Sequence, residues 1–524
     1  MFITFFYIER RFPSIPFLYP KIIFAGNHPQ IGEMNKATIW RGDYVVNQEN
    51  LSLLCDYYEL TMGNGYLLSG MADKIAYFDL FYREVPDKGG FAIAAGLEQL
   101  IDYIQNLHFD EDDLAFLRNK GIFDESFLEY LKNFKFNGDI FAVPEGTPVF
   151  PNEPMVTVRA KAIEAQLVET FLLLTLNHQS LIATKANRIV RAAQGRPVLE
   201  FGSRRAAGGD AAVLGARAAF IGGCAGTACT LTDRKFNVPA VGTMSHSWVQ
   251  MFDSEYEAFA TYCKLYPNNS TLLVDTYNVL QSGVPNAIRT FNEILKPLGI
   301  TSCAIRLDSG DLAYLSKKAR ILLDEAGWTD CRIVASNALD EHLIFNLLHQ
   351  GAKIDSFGVG ERLITSKSEP VFGGVYKLCA VEDEHGVIQP KIKISENTAK
   401  INNPHFKKTY RFFNNKNGMA MADLICLHDE IIDSSQPLEI FDPEAIWKRK
   451  ILTDFTMVEL QKPIFLNGEL VYELPSIGEI RAYCQEQLAT LWDEIKRMEN
   501  PQGYYVDLSQ KLWDLKQELL LKNR

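Results

Sequence analysis

The sequence predicts an α/β protein whose central part is a (β/α) barrel. Three observations point there. After residue 196, short apolar runs alternate with helical segments. Each run ends in a polar or glycine-containing phrase. These decorated ends are many, and only a common mouth gathers them all. Repeating βα units of this size imply parallel strands joined by right-handed crossovers. A doubly wound sheet would collect ligands only near its switch point. A barrel brings every C-terminal strand end to one rim, so the barrel is favoured.

Taken in order, "LSLLCDYYELTMGNGYLLSG" reads as a helix and "KIAYFDLFYREVP" alternates as a strand. "GGFAIAAGLEQLIDYIQNL" is a glycine-led helix, and "GDIFAVPEGTPVFPNEPMVTVRA" is a pair of short strands broken by Pro/Gly turns. Residues 37–165 thus read as an α+β domain on a small sheet. "AIEAQLVETFLLLTLNHQSLIATKANRIVRAA" supplies helices with an apolar face at three- and four-residue spacing. The barrel runs are "PVLEF", "VPAVG", "STLLVD", "TSCAIRL", "CRIVAS" and "KIDSFGV", placing the barrel in residues 166–375. Residues 376–524 form a C-terminal segment of strands and terminal helices. Residues 1–36 read as an N-terminal extension. Met34, opening "MNKATIW", is either the functional start or part of a genuine tail.

Composition excludes several classes. With 53 Lys+Arg against 65 Asp+Glu, the net charge is −12, which argues against nucleic-acid or anionic-membrane surfaces. An anionic substrate must then be held by a few local arginines. No apolar run approaches the roughly 18–20 residues needed to cross a bilayer. The nine cysteines form no CxxC and lie mostly in apolar runs, as expected in a reducing cytoplasm.

The strand-end phrases carry the chemistry. In "EFGSRRA", Phe201 precedes Arg204 and Arg205. An aromatic beside a guanidinium suits a flat anionic ring, although a core Phe with solvated arginines has the same sequence. In "IRLDSGDL", Arg306 and Asp308 alternate and share a face. The pair can hold a sugar phosphate, whereas Asp308 or Ser309 alone reads equally as a helix cap. Ser336 and Asn337 open "SNALD" as further candidate substrate contacts. Gly358 and Gly360 in "SFGVGERLI" permit close backbone approach to a phosphate or simply a turn; Leu363 spoils a GxGxxG reading. His246, in "VGTMSHS", is a satisfied core histidine or, at a strand end among arginines, a nucleophile or general base.

In this order, "EFGSRRA", "VGTMSHS", "IRLDSGDL", "FGVGERL" and "FGGVYKL", with "DYYELTMGNGYL" before and "NPQGYYVDLSQKLWDLKQELL" after, strongly resemble the nicotinate phosphoribosyltransferases, a type II phosphoribosyltransferase family. The resemblance implies an incomplete α/β barrel beside an N-terminal α/β sandwich domain, with C-terminal segments covering both. It implies nicotinate, phosphoribosyl pyrophosphate and ATP as substrates, Mg²⁺ as cofactor, and His246 as a transient phosphohistidine. It further implies that Phe201 stacks on the pyridine and Arg204 faces the carboxylate or pyrophosphate. Arg306 and Asp308 would hold ribose and phosphates, with Gly358 and Gly360 near the 5′-phosphate. Tyr58 and Arg83 would reach in from the second subunit of a homodimer. The metal ligands are not identified.

In related nicotinamide-using enzymes an aspartate follows the first barrel helix. Here "IGGCAGTACT" carries Ala225 at about that place, which favours the acid substrate. The rival readings are a nicotinamide phosphoribosyltransferase, a quinolinate phosphoribosyltransferase, and a non-catalytic nucleotide-binding paralogue.

Overall fold

A computed structural model describes residues 50–397 and 400–522; the predicted extension over residues 1–36, with Met34, lies outside them. The expected first helix is Tyr57–Leu68 and the expected strand is Ile75–Phe81. The glycine-led helix is shorter than its sequence pattern. It starts at Leu97, after Gly96 at φ 108°, with a short strand at Ala92–Ile93 in front. A Cβ at Gly96 would also lie 2.9 Å from the carbonyl oxygen of Thr175, so backbone conformation and close approach both require glycine there.

The first sheet is larger than expected. Among the described residues it has seven strands, and five of them interleave from distant sequence: Val375–Glu382, Ile75–Phe81, Val156–Lys161, Asp139–Ala142 and Lys462–Leu466. All neighbours are antiparallel. The sheet therefore draws on segments that the sequence reading divides among three regions.

Five of the six predicted runs form parallel strands, and a sixth strand comes from elsewhere. In chain order they are β1 (Val198–Glu200), β2 (Gly226–Thr227), β3 (Thr271–Leu273), β4 (Ala304–Leu307), β5 (Arg332–Ala335) and β6 (Ser356–Val359). Their spatial order is β2-β1-β6-β5-β4-β3, every pair parallel. The last strand pairs with the first, Phe357 opposite Val198. No pairing joins β2 to β3 among the described residues, so the sheet is not a closed barrel. One expectation is corrected: the run "VPAVG" supplies a single parallel bridge, Ala240 to Thr227, and the second strand is Gly226–Thr227 instead. Two residues, one of them glycine, carry no alternation to read.

C-terminal segments pack on both bodies. Ile480, Cys484 and Leu491 join the core under the parallel sheet, while Leu460, Ile464 and Phe465 join the core of the first sheet. A buried ion pair fixes the two bodies to each other. Arg217, on helix Gly209–Ile221, is fully buried and forks onto Glu145 at 2.8 and 2.7 Å. Glu145 Oε1 also accepts from the backbone N–H of Gly96 at 2.6 Å.

Burial raises the pKa of Glu145, but the charge and hydrogen bonds of Arg217 outweigh it and lower the pKa overall. The pair's contribution is therefore fully present above the ordinary glutamate pKa of about 4.3 and is lost as pH falls through the lower folded value. Arg217→Met should cost about 3–5 kcal/mol, because it leaves a buried carboxylate unpaired. Denaturant titration at neutral pH checks the loss. The same titration below pH 4 should show the gap between variant and wild type closing.

Candidate active site

The site is built on the C-terminal ends of β1, β3, β4, β5 and β6. At the end of β1, Phe201 donates its backbone N–H to Val359 of β6 at 2.7 Å. Glu200, wholly buried, turns the chain there: its carboxylate accepts from Gly202 N–H and, at 2.6 Å, from the Thr227 hydroxyl. Burial raises the Glu200 pKa. The ring of Phe201 lies directly against Gly358, where a Cβ would come within 2.5 Å of Cδ2. At Gly360 a Cβ would stand 3.0 Å from the Phe201 carbonyl oxygen. Both glycines thus make room for Phe201, a reason the sequence alone does not reveal.

Arg204 and Arg205 follow in an exposed turn, Ser203–Arg205. Arg306, on β4, has its pKa lowered by burial; the charges of Asp308 and Asp275 oppose the shift, and that of Arg204 adds to it. One Nη of Arg306 donates to the Thr243 hydroxyl, and its buried Nε has no partner among the described residues. This is a guanidinium with donors to spare.

His246 is the first residue of helix His246–Gln250. Its Nδ1 lies 3.1 Å from Thr276 Oγ1. Nε2 stands 4.0 Å from Asp275 Oδ1 and 3.9 Å from Asp308 Oδ2. The side chain is 40% exposed, so Nε2 is open to a ligand while carboxylates flank it. With Nδ1 as donor to Thr276, Nε2 keeps its lone pair. Beside this loop lies a depression of about 470 Å³, lined in part by Thr243, Ser245, Trp248 and Tyr262.

Asp275 is the residue beside His246 that sequence reasoning did not single out. It sits just past β3 and is buried. Its Oδ2 accepts from Asp308 N–H at 3.0 Å and from Ser309 Oγ at 2.6 Å. Its Oδ1 has no hydrogen-bond partner and faces His246. The available signal was its place in "VDTYN", an acidic residue at a strand end. The helix after β4 is capped by Asp311, which accepts from Tyr314 N–H at 3.0 Å. Asp308 and Ser309 are therefore free of capping. The Ser336 hydroxyl donates to Asp308 Oδ1. Asn337 follows at φ 124°, a conformation that non-glycine residues rarely adopt away from functional sites.

Tyr58 and Arg83 belong to a second group on the first body. Tyr58 is exposed on helix Tyr57–Leu68, and burial, then the neighbouring Glu169, raise its pKa. Arg83 lies over the Phe81 ring, 5.3 Å from the centroid. Burial, opposed by the charge of Glu169 and reinforced by that of Arg83, lowers the pKa of Lys377. Glu169 and Lys377 thus bring Tyr58 and Arg83 into one neighbourhood.

Ala225, contrary to expectation, does not reach the rim. Ala225 donates to Val198 O at 2.8 Å, at the N-terminal edge of β2, away from the rim. Ala228, which donates to Glu200 O at 2.8 Å, is the residue at the strand's C-terminal end.

An open parallel α/β sheet with a histidine between two aspartates, and arginines close by, defines an α/β enzyme built to handle an anionic substrate. Three family models match in succession: the nicotinate phosphoribosyltransferase N-terminal domain over residues 53–177, the nicotinate phosphoribosyltransferase family over 197–417, and the C-terminal domain over 406–516. The nicotinate phosphoribosyltransferase of Bacillus subtilis is 44% identical over 478 residues, covering 91% of this chain and 96% of that protein. The human one is 30% identical, covering 88% and 95%. The crystal structure of human nicotinic acid phosphoribosyltransferase superposes with a TM-score of 0.77 at 27% identity, over 89% of this chain and all of that one. The chain belongs to the nicotinate phosphoribosyltransferase family.

Gly358→Ala should push the Phe201 ring off its seat and cost about 1–3 kcal/mol by overpacking. A crystal structure of the variant with a denaturation curve checks both. A ring left in place with unchanged stability would refute the seating argument.

Proposed function

We propose that this chain joins nicotinate to 5-phosphoribosyl 1-pyrophosphate, giving nicotinate mononucleotide and pyrophosphate, and couples the transfer to ATP hydrolysis through His246. The observation that carries this reading is the open Nε2 of His246 between Asp275 and Asp308. Its lone pair attacks the γ-phosphorus of ATP, an N–P bond forms as the P–O bond to ADP breaks, and hydrolysis of that phosphohistidine later drives the cycle. In the transfer itself, the pyridine nitrogen attacks C1 of the ribose as the bond to pyrophosphate breaks, through an oxocarbenium-like state.

Phe201 stacks on the pyridine ring, and Arg204 meets its carboxylate or the pyrophosphate. Arg306, with an unused Nε, holds phosphate oxygens. Asp308 orients the ribose, steadied by Ser336, with Asn337 on the same rim and Gly358 and Gly360 near the 5′-phosphate. Asp275 Oδ1 and Asp308 Oδ2 fit Mg²⁺, a hard cation commonly held by one or two carboxylates and substrate phosphates. When bound, it would neutralise phosphate charge that the two aspartates otherwise repel. Tyr58 and Arg83 lie on the first body, in keeping with a homodimer that shares its sites. The strand order, first beside last with one open seam, supports an incomplete barrel. The cytoplasm, where such cosubstrates are made, is the natural compartment.

Nicotinate mononucleotide formation, measured with Mg²⁺ and with or without ATP, tests the reading. The rate should rise with ATP as ADP appears. His246→Ala should abolish the ATP response and lower the ATP-coupled rate by about 10²-fold or more. Asp275→Asn should weaken that response while leaving the fold intact by circular dichroism. Product from nicotinamide and none from nicotinate would overturn the substrate assignment.

A further inference from the structure

Buried and half-buried lysines away from His246 are of two kinds. Lys185 and Lys407 spend their charge on carboxylates: Lys185 on Asp87 and Glu341 at 2.9 and 2.8 Å, Lys407 on Asp79 at 2.7 Å. Lys516, on the helix Gln510–Lys522, donates instead to the neutral side-chain oxygen of Asn403 at 2.8 Å. It lines a cavity of about 270 Å³ that none of the rim residues around His246 touches, although Arg83 of the second group stands on its wall. Strand Ile75–Phe81 and the residues just after it, segment 401–403, and the C-terminal strand and helix contribute its walls.

Trp513 lines the same cavity one turn before Lys516. Its indole nitrogen is buried and has no acceptor among the described residues. An indole N–H can only donate, and leaving a buried donor unmade costs about 1–3 kcal/mol. The deepest carboxylate, Asp79, is already engaged by Lys407 and by the Thr157 hydroxyl at 2.7 Å. The remaining wall carboxylates, Glu84 and Glu444, are exposed. Burial lowers the pKa of Lys516; the charge of Glu444 opposes this and that of Lys407 adds to it. The interior therefore offers donors and positive charge, with no deep wall carboxylate left to receive them.

We propose that this cavity is a second small-molecule site, which takes a small oxyanion, phosphate or carboxylate, between the Lys516 ammonium and the Trp513 indole N–H. A carboxylate or phosphate oxygen supplies the acceptor that the indole lacks and the negative charge that the ammonium, bonded only to Asn403, lacks, and charge-assisted bonds are the stronger kind. The volume admits phosphate or a one-ring carboxylate, with Phe81 and Leu508 as apolar wall.

Calorimetric titration of the full chain with inorganic phosphate and, separately, benzoate tests this. It is run at constant ionic strength, with saturating nicotinate mononucleotide to fill both the ring and the 5′-phosphate places of the His246 site. One further equivalent should bind, and Lys516→Met should weaken it at least about tenfold. Trp513→Phe removes the N–H but keeps a ring, so an unchanged melting temperature there secures the result if Lys516→Met does not fold. Both variants should turn over at the wild-type rate without added anion. Binding of phosphate alone assigns phosphoryl ligands and of benzoate alone carboxylate ligands, and either supports the proposal. No further equivalent with either anion, or binding undiminished in both variants, overturns it.

Discussion

The geometry around His246 depends on how the buried carboxylate of Asp275 divides its two oxygens. One is fully committed to the loop after the next strand, through Asp308 N–H and Ser309 Oγ. The other is left without a partner, 4.0 Å from His246. A buried carboxylate oxygen in that state is costly, and it persists because β3 and β4 hold Asp275 rigidly. Leu273 pairs with Arg306, so Asp275 arrives level with Asp308 by register alone. A slip of one residue in β3 would turn Asp275 to the face opposite Asp308. The parallel pairing of two short strands thus sets the spacing of the histidine's two flanking charges.

A second constraint acts where the first strand meets the last. β1 and β6 are distant in sequence, yet their pairing seats Phe201 on Gly358. Buried Glu200 locks the turn that aims the ring. The aromatic and histidine portions of the rim are therefore fixed by different strand pairs. They meet at β4 and β5, where Arg306, Asp308 and Ser336 lie.

Much of this was legible in the sequence, for identifiable reasons. Strand ends with Phe201, Arg306, Asp308 and Ser336 announce themselves because apolar runs stop abruptly at polar residues, whereas the run before His246 forms only a bridge and the histidine heads a helix. β2 was not legible, since Gly226–Thr227 has neither length nor alternation, and the place given to Ala225 came from the family resemblance alone, which left it on the wrong side of this strand. Asp275 was quoted within its phrase but looked like any acidic strand terminus; only its partners single it out. The first sheet escaped because its strands come from residues 75, 140, 156, 375 and 462 onward, and no local pattern encodes pairing over such separations.

Charge explains how an acidic chain can still receive anions. Most of its deeply buried cations are consumed internally: Arg217 by Glu145, Arg411 by Asp423 at 2.6 Å, Lys407 by Asp79. Such pairs roughly offset their own desolvation and hold the bodies together. Arg306 is different, since its hydrogen bond goes to a neutral hydroxyl and its Nε donates to nothing among the described residues. Lys516 follows the same pattern with Asn403. A cation that has given up water without gaining a hydrogen-bonded carboxylate is stabilised most by an anion from outside. Counting charges over the whole chain therefore says little about its ligands. What separates the paired cations from Arg306 and Lys516 is whether the hydrogen-bond partner is itself charged.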